Sequence, residues 1–117
     1  MQKVIPTLKI SNEERSQAFY VEALGFQVDW EHRFEPGYPV FMQISREGDV
    51  LYLTAHEGDC QPGGLVHFLV DDIDRFYETL PQGKLEVNPP YEMVEGVRMV
   101  RISDPDGNEL RFMNAKK

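Results

Sequence analysis

Cysteine and long apolar runs are the two features that this sequence most clearly lacks. Cys60 is the only cysteine among the 117 residues, so no disulfide can form within the chain. No run has the length of a membrane span or the pattern of a signal peptide, and we therefore expect a soluble protein of the cytoplasm, away from membranes. A chain of this length can bury a core without metal or disulfide cross-links.

Positive charge is scarce as well. Lysine and arginine number 12 against 20 acidic residues, which gives a formal net charge of −8. Association with a polyanion would begin against repulsion, so we expect no nucleic acid partner. An acidic surface would suit a cationic ligand, although a net charge of this size also simply keeps a protein soluble.

The most informative stretch that is present reads Asp-Pro-Asp-Gly-Asn-Glu-Leu-Arg-Phe, over residues 104–112. The proline favours a turn, the glycine permits positive φ, and Leu110 and Phe112 alternate with polar residues as in a half-buried strand. Residues 47–53 follow the same plan about 59 residues earlier, with Gly48 at the corresponding glycine, which indicates an internal duplication.

A helix is predicted in each half of the chain. Ser11 and Glu14 form a capping box for the first helix, which runs to about Leu24 and ends at a left-handed Gly25. Asp71-Asp72 caps the shorter second helix, and 81–83 ends it. The apolar sides are Ala18, Phe19, Val21 and Leu24 in the first helix and Phe76, Tyr77 and Leu80 in the second.

Period-two alternation predicts the strands that flank these helices. The alternation runs unbroken through the second strand and places Phe26, Val28, Trp30 and His32 on one face, while Pro6 lies at an edge or bulge of the first. The predicted strands are Lys3–Ile10, Phe26–His32, Val40–Ser45, Val50–His56, Leu65–Val70, Lys84–Val87, Val97–Ser103 and a last one after Gly107.

Each half therefore reads β-α-β-β-β, and we predict an α+β fold of two tandem modules. The modules span residues 1–57 and 64–117 of a single domain, and the Gly/Pro-rich linker 58–63 joins them. Donor side chains cluster from His56 to Cys60, but so short a loop rarely brings four donors onto one ion, so we expect no metal there.

Three motifs, in order along nearly the whole chain, carry a family resemblance. They are Phe19-Tyr20 followed by Leu24-Gly25-Phe26, Val70-Asp71-Asp72-Ile73-Asp74, and Asp104-Pro105-Asp106-Gly107-Asn108. With them the sequence resembles the vicinal oxygen chelate superfamily, which includes glyoxalase I, extradiol dioxygenases, and the bleomycin and fosfomycin resistance proteins. The resemblance implies two β-α-β-β-β modules whose sheets curve into an open cleft, and usually a homodimer.

The resemblance also locates a metal site. In the superfamily's metalloenzymes, side chains from four strands hold a divalent ion, and the matching positions here are Ile5, Tyr52, Leu65 and Arg111. Isoleucine and leucine have no lone pair to offer, and an arginine brings a cation to the place of the metal. We therefore predict a cleft that works without a metal or other cofactor.

Strand alternation predicts which side chains line this cleft. Tyr52 and His67 would orient a ligand or act as acid and base, or else bond to each other or to backbone. Arg101 and Arg111 would clamp an anion, or else pair with Glu109. The predicted ligand-binding residues are Trp30, Phe41, Gln43, Tyr52, His56, His67, Met99, Arg101 and Arg111.

Aromatic residues around the loop 35–39 allow two interpretations. They would stack on a planar ligand at the mouth of the cleft, or form the buried seam of a dimer. His32 would follow Trp30 toward the cleft or stay solvated at its strand end, and we favour the solvated position. The aromatic residues concerned are Trp30, Phe34, Tyr38 and Phe41.

The function we predict is metal-independent binding of a drug-like or cationic small molecule. The resemblance is closest to the bleomycin resistance proteins, which sequester the antibiotic, and an acidic protein with aromatics at its cleft suits such a ligand. One alternative is a superfamily enzyme, a glyoxalase-like lyase or isomerase or a dioxygenase, with a non-standard or displaced site, although no nucleophile elbow or phosphate-binding loop is present. Another is a non-catalytic structural or regulatory module.

Overall fold

Each half of the chain forms its own four-stranded sheet in the computed structural model, which describes residues 2–81 and 83–116. The first sheet has the order β1-β4-β3-β2 and the second the order β5-β8-β7-β6. The strands are β1 Thr7–Lys9, β2 Gln27–His32, β3 Phe41–Arg46, β4 Asp49–Thr54, β5 Leu65–Leu69, β6 Tyr91–Val94, β7 Val97–Ser103 and β8 Glu109–Met113. This is the predicted α+β arrangement of two tandem modules.

The two sheets repeat the same pairing scheme. β1 lies parallel to β4 and β5 lies parallel to β8, whereas the other neighbours are antiparallel. Gly48 and Gly107 have φ angles of 86° and 80° in the two corresponding turns, a conformation that glycine adopts without the steric cost of a Cβ. The internal repeat read from the two turns is thus present in the backbone.

The helices are α1 (Glu13–Gln17), a π-helical segment (Ala18–Ala23) and α2 (Ile73–Thr79), and among the described residues none is long and apolar enough to cross a membrane. The predicted capping box was wrong, because Asn12 caps α1 by accepting from the amide of Arg15 at 2.8 Å. Ser11 instead donates its hydroxyl to Asp106 in the distant turn. Asp72 caps α2 as predicted, and the end predicted at 81–83 includes Gln82, which lies outside the described residues.

The π-helical segment changes which side of the first helix is buried. The amide of Leu24 donates to the carbonyl of Phe19 at 3.1 Å, an i to i+5 bond that widens the turn. Phe19 and Tyr20 are consequently both buried, together with Leu24, whereas Ala18 is exposed. The prediction that the apolar side of the helix includes Ala18 and Val21 was therefore wrong, because that prediction assumed regular α-helical spacing.

Because of a β-bulge in β2, the side chains of this strand lie on different faces from those predicted. Val28 pairs with Ile44, but Trp30 pairs with Gln43, so Asp29 is an extra residue between them. A bulge of one residue moves every following side chain to the other face. Trp30 therefore lies on the face opposite Val28, and the prediction that Phe26, Val28, Trp30 and His32 share one face was wrong.

Two further strand boundaries differ from the sequence prediction. Residues 84–87 form no strand, although Leu85 and Val87 pack against the core. The sixth strand begins only at Tyr91, after a pair of prolines whose missing N–H groups cannot contribute to a sheet ladder. The first strand is likewise shorter than predicted, beginning at Thr7, just after Pro6.

One hydrophobic core joins the two modules. It lies between the helices and the faces of both sheets that turn toward them, which we call the inner faces. Phe26 of the first module meets Phe68 of the second with ring centroids 6.0 Å apart, and Phe76 of α2 stacks on Phe112 at 4.2 Å. The opposite faces, which we call the open faces, carry the candidate site residues.

Candidate functional site

Three aromatic side chains from three strands cluster on the open face of the first sheet. Tyr52 lies with its ring centroid 5.0 Å from Phe41 and 5.7 Å from Trp30, and Trp30 stacks on Phe41 at 6.0 Å with an angle of 20°. Trp30 is still 43% exposed. The bulge in β2 brings Trp30 to this face. The three rings, here called the aromatic triad, form a partly exposed aromatic surface in which Tyr52 is tilted by 53° and 54° to the other two.

A carboxylate borders the aromatic triad. Asp29, the bulged residue, accepts hydrogen bonds from Gln43 at 2.9 Å, from Ser45 at 3.0 Å and from Gln27 at 3.0 Å. These donors, Gln43 above all, lower the pKa of Asp29 below its ordinary value, so the group is anionic at neutral pH. Gln43, a predicted site residue, is thus oriented by a neighbour that sequence alternation did not identify.

A second aromatic contact runs beside the triad. Phe34 meets the ring of His32 edge-on at 4.8 Å and that of His56 at 5.6 Å. His32 is exposed, as favoured from the sequence, and it also lies on the face of Trp30. Among the described residues the Nε2 atom of His56 is buried without a hydrogen-bond partner.

Tyr38, which was predicted to join Trp30 and Phe41, stays on the exposed loop and makes no aromatic contact within the described chain.

The open face of the second sheet begins with an apolar row across all four strands. Leu69, Met113, Met99 and Tyr91 are neighbours in register on β5, β8, β7 and β6. Met99 was predicted to line the cleft, but it is only 1% exposed because Tyr91 covers it, with the phenol oxygen 3.4 Å from Sδ. Tyr91 rather than Met99 is therefore the accessible residue here, and sequence analysis missed it because its strand was misplaced.

An arginine pair lies next to this row. Arg101 donates to Glu109 at 2.8 Å and Arg111 donates to the other oxygen of the same carboxylate at 2.6 Å. The hydrogen bond from Arg101 lowers the pKa of Glu109, and the carboxylate in turn raises the pKa of Arg101. Of the two alternatives left open by the sequence, pairing with Glu109 is present. His67 is exposed and stands opposite Arg111 in the β5–β8 register.

The four positions implied for a metal do not form a metal site. Tyr52 belongs to the aromatic triad, Arg111 is bonded to Glu109, and Leu65 is 50% exposed. Ile5 has no donor atom in its side chain. Across residues 2–81 and 83–116, no three side chains of His, Cys, Asp or Glu converge on one point, and the residues at these positions do not fit a divalent ion.

The predicted pair of Tyr52 and His67 is not assembled within one chain. Tyr52 packs among aromatic rings of the first sheet, whereas His67 is exposed on β5 of the second. No hydrogen bond joins them in the part of the chain that the structure describes. An acid and a base must both reach the reacting atoms, so the geometry of a single chain gives no support to their acting together.

The linker residues are held by structural contacts. Asp59 accepts a hydrogen bond from the hydroxyl of Thr54 at 2.6 Å, and the thiol of Cys60 lies 3.9 Å from the carbonyl of Thr7. The carbonyl of His56 accepts from the ammonium of Lys9. These contacts fasten the segment after β4 to β1.

Comparison with known proteins gives consistent matches over the whole chain. A family model described as "Glyoxalase superfamily protein" matches residues 1–117. The uncharacterized protein YraH of Bacillus subtilis is 26% identical over 117 residues, covering 90% of this chain and 91% of that protein. A glyoxalase/bleomycin resistance protein/dioxygenase superfamily member from Sphaerobacter thermophilus is 26% identical, covers 97% and 98% of the two chains and has a TM-score of 0.73. A bleomycin-binding protein in complex with bleomycin is 25% identical, covers 98% and 99%, and also has a TM-score of 0.73.

Proposed function

The chain belongs to the glyoxalase superfamily, and from that premise we propose that it binds and sequesters a small planar molecule without the help of a metal ion. The observation that carries the proposal is the aromatic triad. Trp30 and Phe41 stack to form an exposed aromatic surface, bordered by the tilted ring of Tyr52 and the hydrogen-bonding side chain of Gln43. Such a surface binds a planar ligand by burying apolar area and by ring stacking. Binding of this kind does not require a metal ion, because no atom of the ligand has to be activated for a reaction.

A second copy of the chain completes the cleft in this proposal. The inner faces of both sheets are joined in one core, so the two open faces of one chain cannot close on each other. Leu65, Leu69 and Tyr91 on the second sheet are exposed, as is Trp30 on the first. A homodimer would bury these side chains and enclose a ligand between open faces of two copies. Sedimentation equilibrium tests this, and a monomer at all concentrations would contradict it.

The ligand we propose is drug-like, and bleomycin is the first compound to test. A structural neighbour that covers almost the whole chain was solved with bleomycin bound. If the present protein holds such a compound in the same way, its role in the cell is to lower the free concentration of a toxic molecule, which would confer antibiotic resistance. A sequestering protein of this kind releases its ligand unchanged.

The test is a calorimetric titration of metal-free and copper-loaded bleomycin into the purified protein, with Trp30 fluorescence as a second signal. Trp30 is the only tryptophan, so quenching reports on the aromatic triad. We expect saturable binding in both measurements, and recovery of unmodified ligand by mass spectrometry after dissociation. Chemical turnover of the bound compound would contradict sequestration. Absence of heat and quenching would exclude bleomycin as the ligand, and a library of planar aromatics would then test the wider proposal.

A further inference from the structure

The charges on the two open faces, taken together, are opposite in sign to the charge of the whole protein. The chain has a net charge of −8, but the open-face positions of the strands carry Lys9, Arg101 and Arg111 against only Asp29 and Glu109. Most acidic residues therefore lie on the helices, the loops and the inner-face edges. Salt screens charges that lie more than about one Debye length from a bound ligand, roughly 8 Å at physiological salt. The electrostatic interaction of the ligand with the open faces therefore depends mainly on the local surplus of positive charge.

The arginine pair accounts for that surplus. A single carboxylate, Glu109, serves both guanidinium groups. Within the described chain, both terminal nitrogens of Arg111 make no hydrogen bond, whereas the guanidinium of Arg101 also meets the phenol of Tyr91. The side chain of Arg101 is 51% exposed and that of Arg111 is 27% exposed. Unused N–H groups of this kind form strong, charge-assisted bonds to carboxylate, sulfonate or phosphate oxygens.

The arginine pair has an apolar row on one side and a mixed row, containing Leu65 and the carboxylate of Glu109, on the other. The row of Leu69, Met113, Met99 and Tyr91 crosses the sheet one register step to one side. Leu65, half exposed, stands next to Glu109 on the other side. His67 lies beside Arg111 and adds a further polar donor. A cationic strip beside an apolar row fits a ligand whose acidic group is attached to an apolar body.

We propose that Arg101 and Arg111, assisted by His67, bind the acidic group of the ligand, so that the ligand class is a planar aromatic acid. The inference rests on the proposed function, including its homodimer, because the aromatic triad and the arginine pair lie on different sheets and would meet one ligand only between open faces of two copies. It departs from the expectation drawn from net charge, which favoured a cationic ligand, and it predicts that a planar aromatic acid binds more tightly than a cationic compound such as bleomycin.

The experiment compares three ligands with one ring system and different charge: 2-naphthoate, 2-naphthamide and 2-naphthylmethylammonium. Each is titrated calorimetrically into the purified full-length protein at pH 7.5. We expect naphthoate to bind about tenfold more tightly than the neutral amide, as one strong charge-assisted contact implies. We expect the ammonium compound to bind most weakly. Added salt should weaken naphthoate binding and leave naphthamide binding nearly unchanged.

Variants separate the arginine pair from a general effect of charge. Arg111→Met should reduce naphthoate affinity about tenfold and change naphthamide affinity less than about twofold. Arg111→Lys should recover part of the loss, because it keeps the charge but not the planar fork. The matched control is Arg98→Met, on the inner side of β7, where Arg98 pairs with Asp74. It removes the same charge from the same sheet and should leave all three affinities unchanged.

The outcomes distinguish the inference from the proposed function. Equal affinity for the three compounds, or a preference for the ammonium compound, would overturn the arginine assignment and leave planar binding in place. Equal losses in Arg111→Met and Arg98→Met would likewise overturn it, because the effect would then be one of net charge. Failure of all three compounds to bind would overturn both proposals for this class of ligand.

Discussion

Tyr52 on the first sheet and Arg111 on the second occupy corresponding positions of the two modules. Each side chain lies on an open face between two buried residues, Leu51 and Leu53 in β4 and Leu110 and Phe112 in β8. Tyr52 joins an aromatic cluster, whereas Arg111 joins an ion-paired one. The buried positions are apolar in both modules because the core requires it, whereas the outward positions differ in chemistry because no such requirement acts on them.

The two turns that precede these strands show the same division between shared geometry and separate roles. Asn108 and Asp49 correspond, each following the turn glycine, but Asn108 is fully buried and Asp49 is exposed. The side chain of Asn108 accepts from the amides of Gly63 and Gly64 and donates to the carbonyl of Lys9 and the carboxylate of Asp104. The side chain of Asn108 thus connects both modules and the linker, whereas no side-chain hydrogen bond of Asp49 is found among the described residues.

The helices differ in the same way. Tyr20 and Tyr77 are corresponding members of the two Phe-Tyr pairs, but only Tyr20 reaches the second turn, donating its hydroxyl to buried Asp104 at 2.7 Å. Burial, with the neighbouring carboxylate, raises the pKa of Tyr20 far above its ordinary value, so the phenol remains a donor. The motifs that carried the family resemblance, at 19–20 and 104–108, are therefore in contact and hold the fold together.

The largest effect is expected from comparing the two corresponding turn residues. Asn108→Ala would leave buried amide and carbonyl groups without partners, and we expect a loss of about 3–4 kcal/mol in the free energy of unfolding. Asp49→Ala is the matched control and should change it by less than about 0.5 kcal/mol. Urea denaturation followed by far-UV circular dichroism measures both. Equal losses in the two variants would show that the turns have equivalent structural roles.

A smaller effect is expected from the two tyrosines. Tyr20→Phe removes the donor to Asp104 without changing ring packing, and we expect a loss of about 2 kcal/mol, since the acceptor is a buried carboxylate. Tyr77→Phe, where no side-chain hydrogen bond is found among the described residues, should lie within about 0.5 kcal/mol of the parent protein. The same denaturation experiment measures this pair. A neutral Tyr20→Phe variant would mean that water or another donor replaces the phenol.

The aromatic triad provides the next comparison, between two exposed aromatic residues. Trp30→Ala should weaken binding of a planar ligand about tenfold, because it removes one wall of the stacking surface. Tyr38→Ala removes a ring that is equally accessible, 50% exposed against 43% for Trp30, but that lies outside the triad, so its affinity should be unchanged. Calorimetry is the measurement for both, because Trp30→Ala has no tryptophan signal. Equal effects would point to general surface hydrophobicity.

Sequence reasoning was most successful where the signal was local. The turns at 46–49 and 104–107, the cap at Asp72 and the alternation of buried residues in β8 depend on neighbouring residues, and all are present. Ser11 was misassigned because a partner 95 residues away, Asp106, binds its hydroxyl. A distant residue that competes for a side chain in this way cannot be recognised from the local sequence pattern.

The candidate site was harder to predict for a related reason. The bulge at Asp29 is stabilised by side chains from β3, and it moves Trp30 to the open face without any break in the apolar alternation of β2. Met99 has the parity of a cleft residue, but a strand whose position was not foreseen covers it with Tyr91. Parity identifies the face on which a side chain lies, and only the neighbouring strand determines whether it is accessible.

The smallest effect concerns the two open-face carboxylates, Asp29 and Glu109. Hydrogen bonds lower both pKa values in the folded protein, chiefly from Gln43 to Asp29 and from Arg101 to Glu109. A depressed folded-state pKa contributes stability that is complete above the ordinary values, 3.8 and 4.5, and that is lost as the pH falls through the lower folded-state values.

Glu109→Gln should therefore be less stable than the parent protein at neutral pH, by about 1 kcal/mol or less because the pairs are partly exposed. The difference should shrink as the pH is lowered below about 4.5, where the carboxylate begins to be protonated in the unfolded chain but not yet in the folded protein. Asp29→Asn should converge with the parent in the same way, but only at lower pH, since an aspartate starts from the lower ordinary value. Urea midpoints measured from pH 7 to pH 3 test both variants. If the stability difference between Glu109→Gln and the parent protein stays constant to pH 3, the arginine pair contributes stability through packing and not through charge. The open face of the second sheet would then be stabilised by packing, like the aromatic triad on the first.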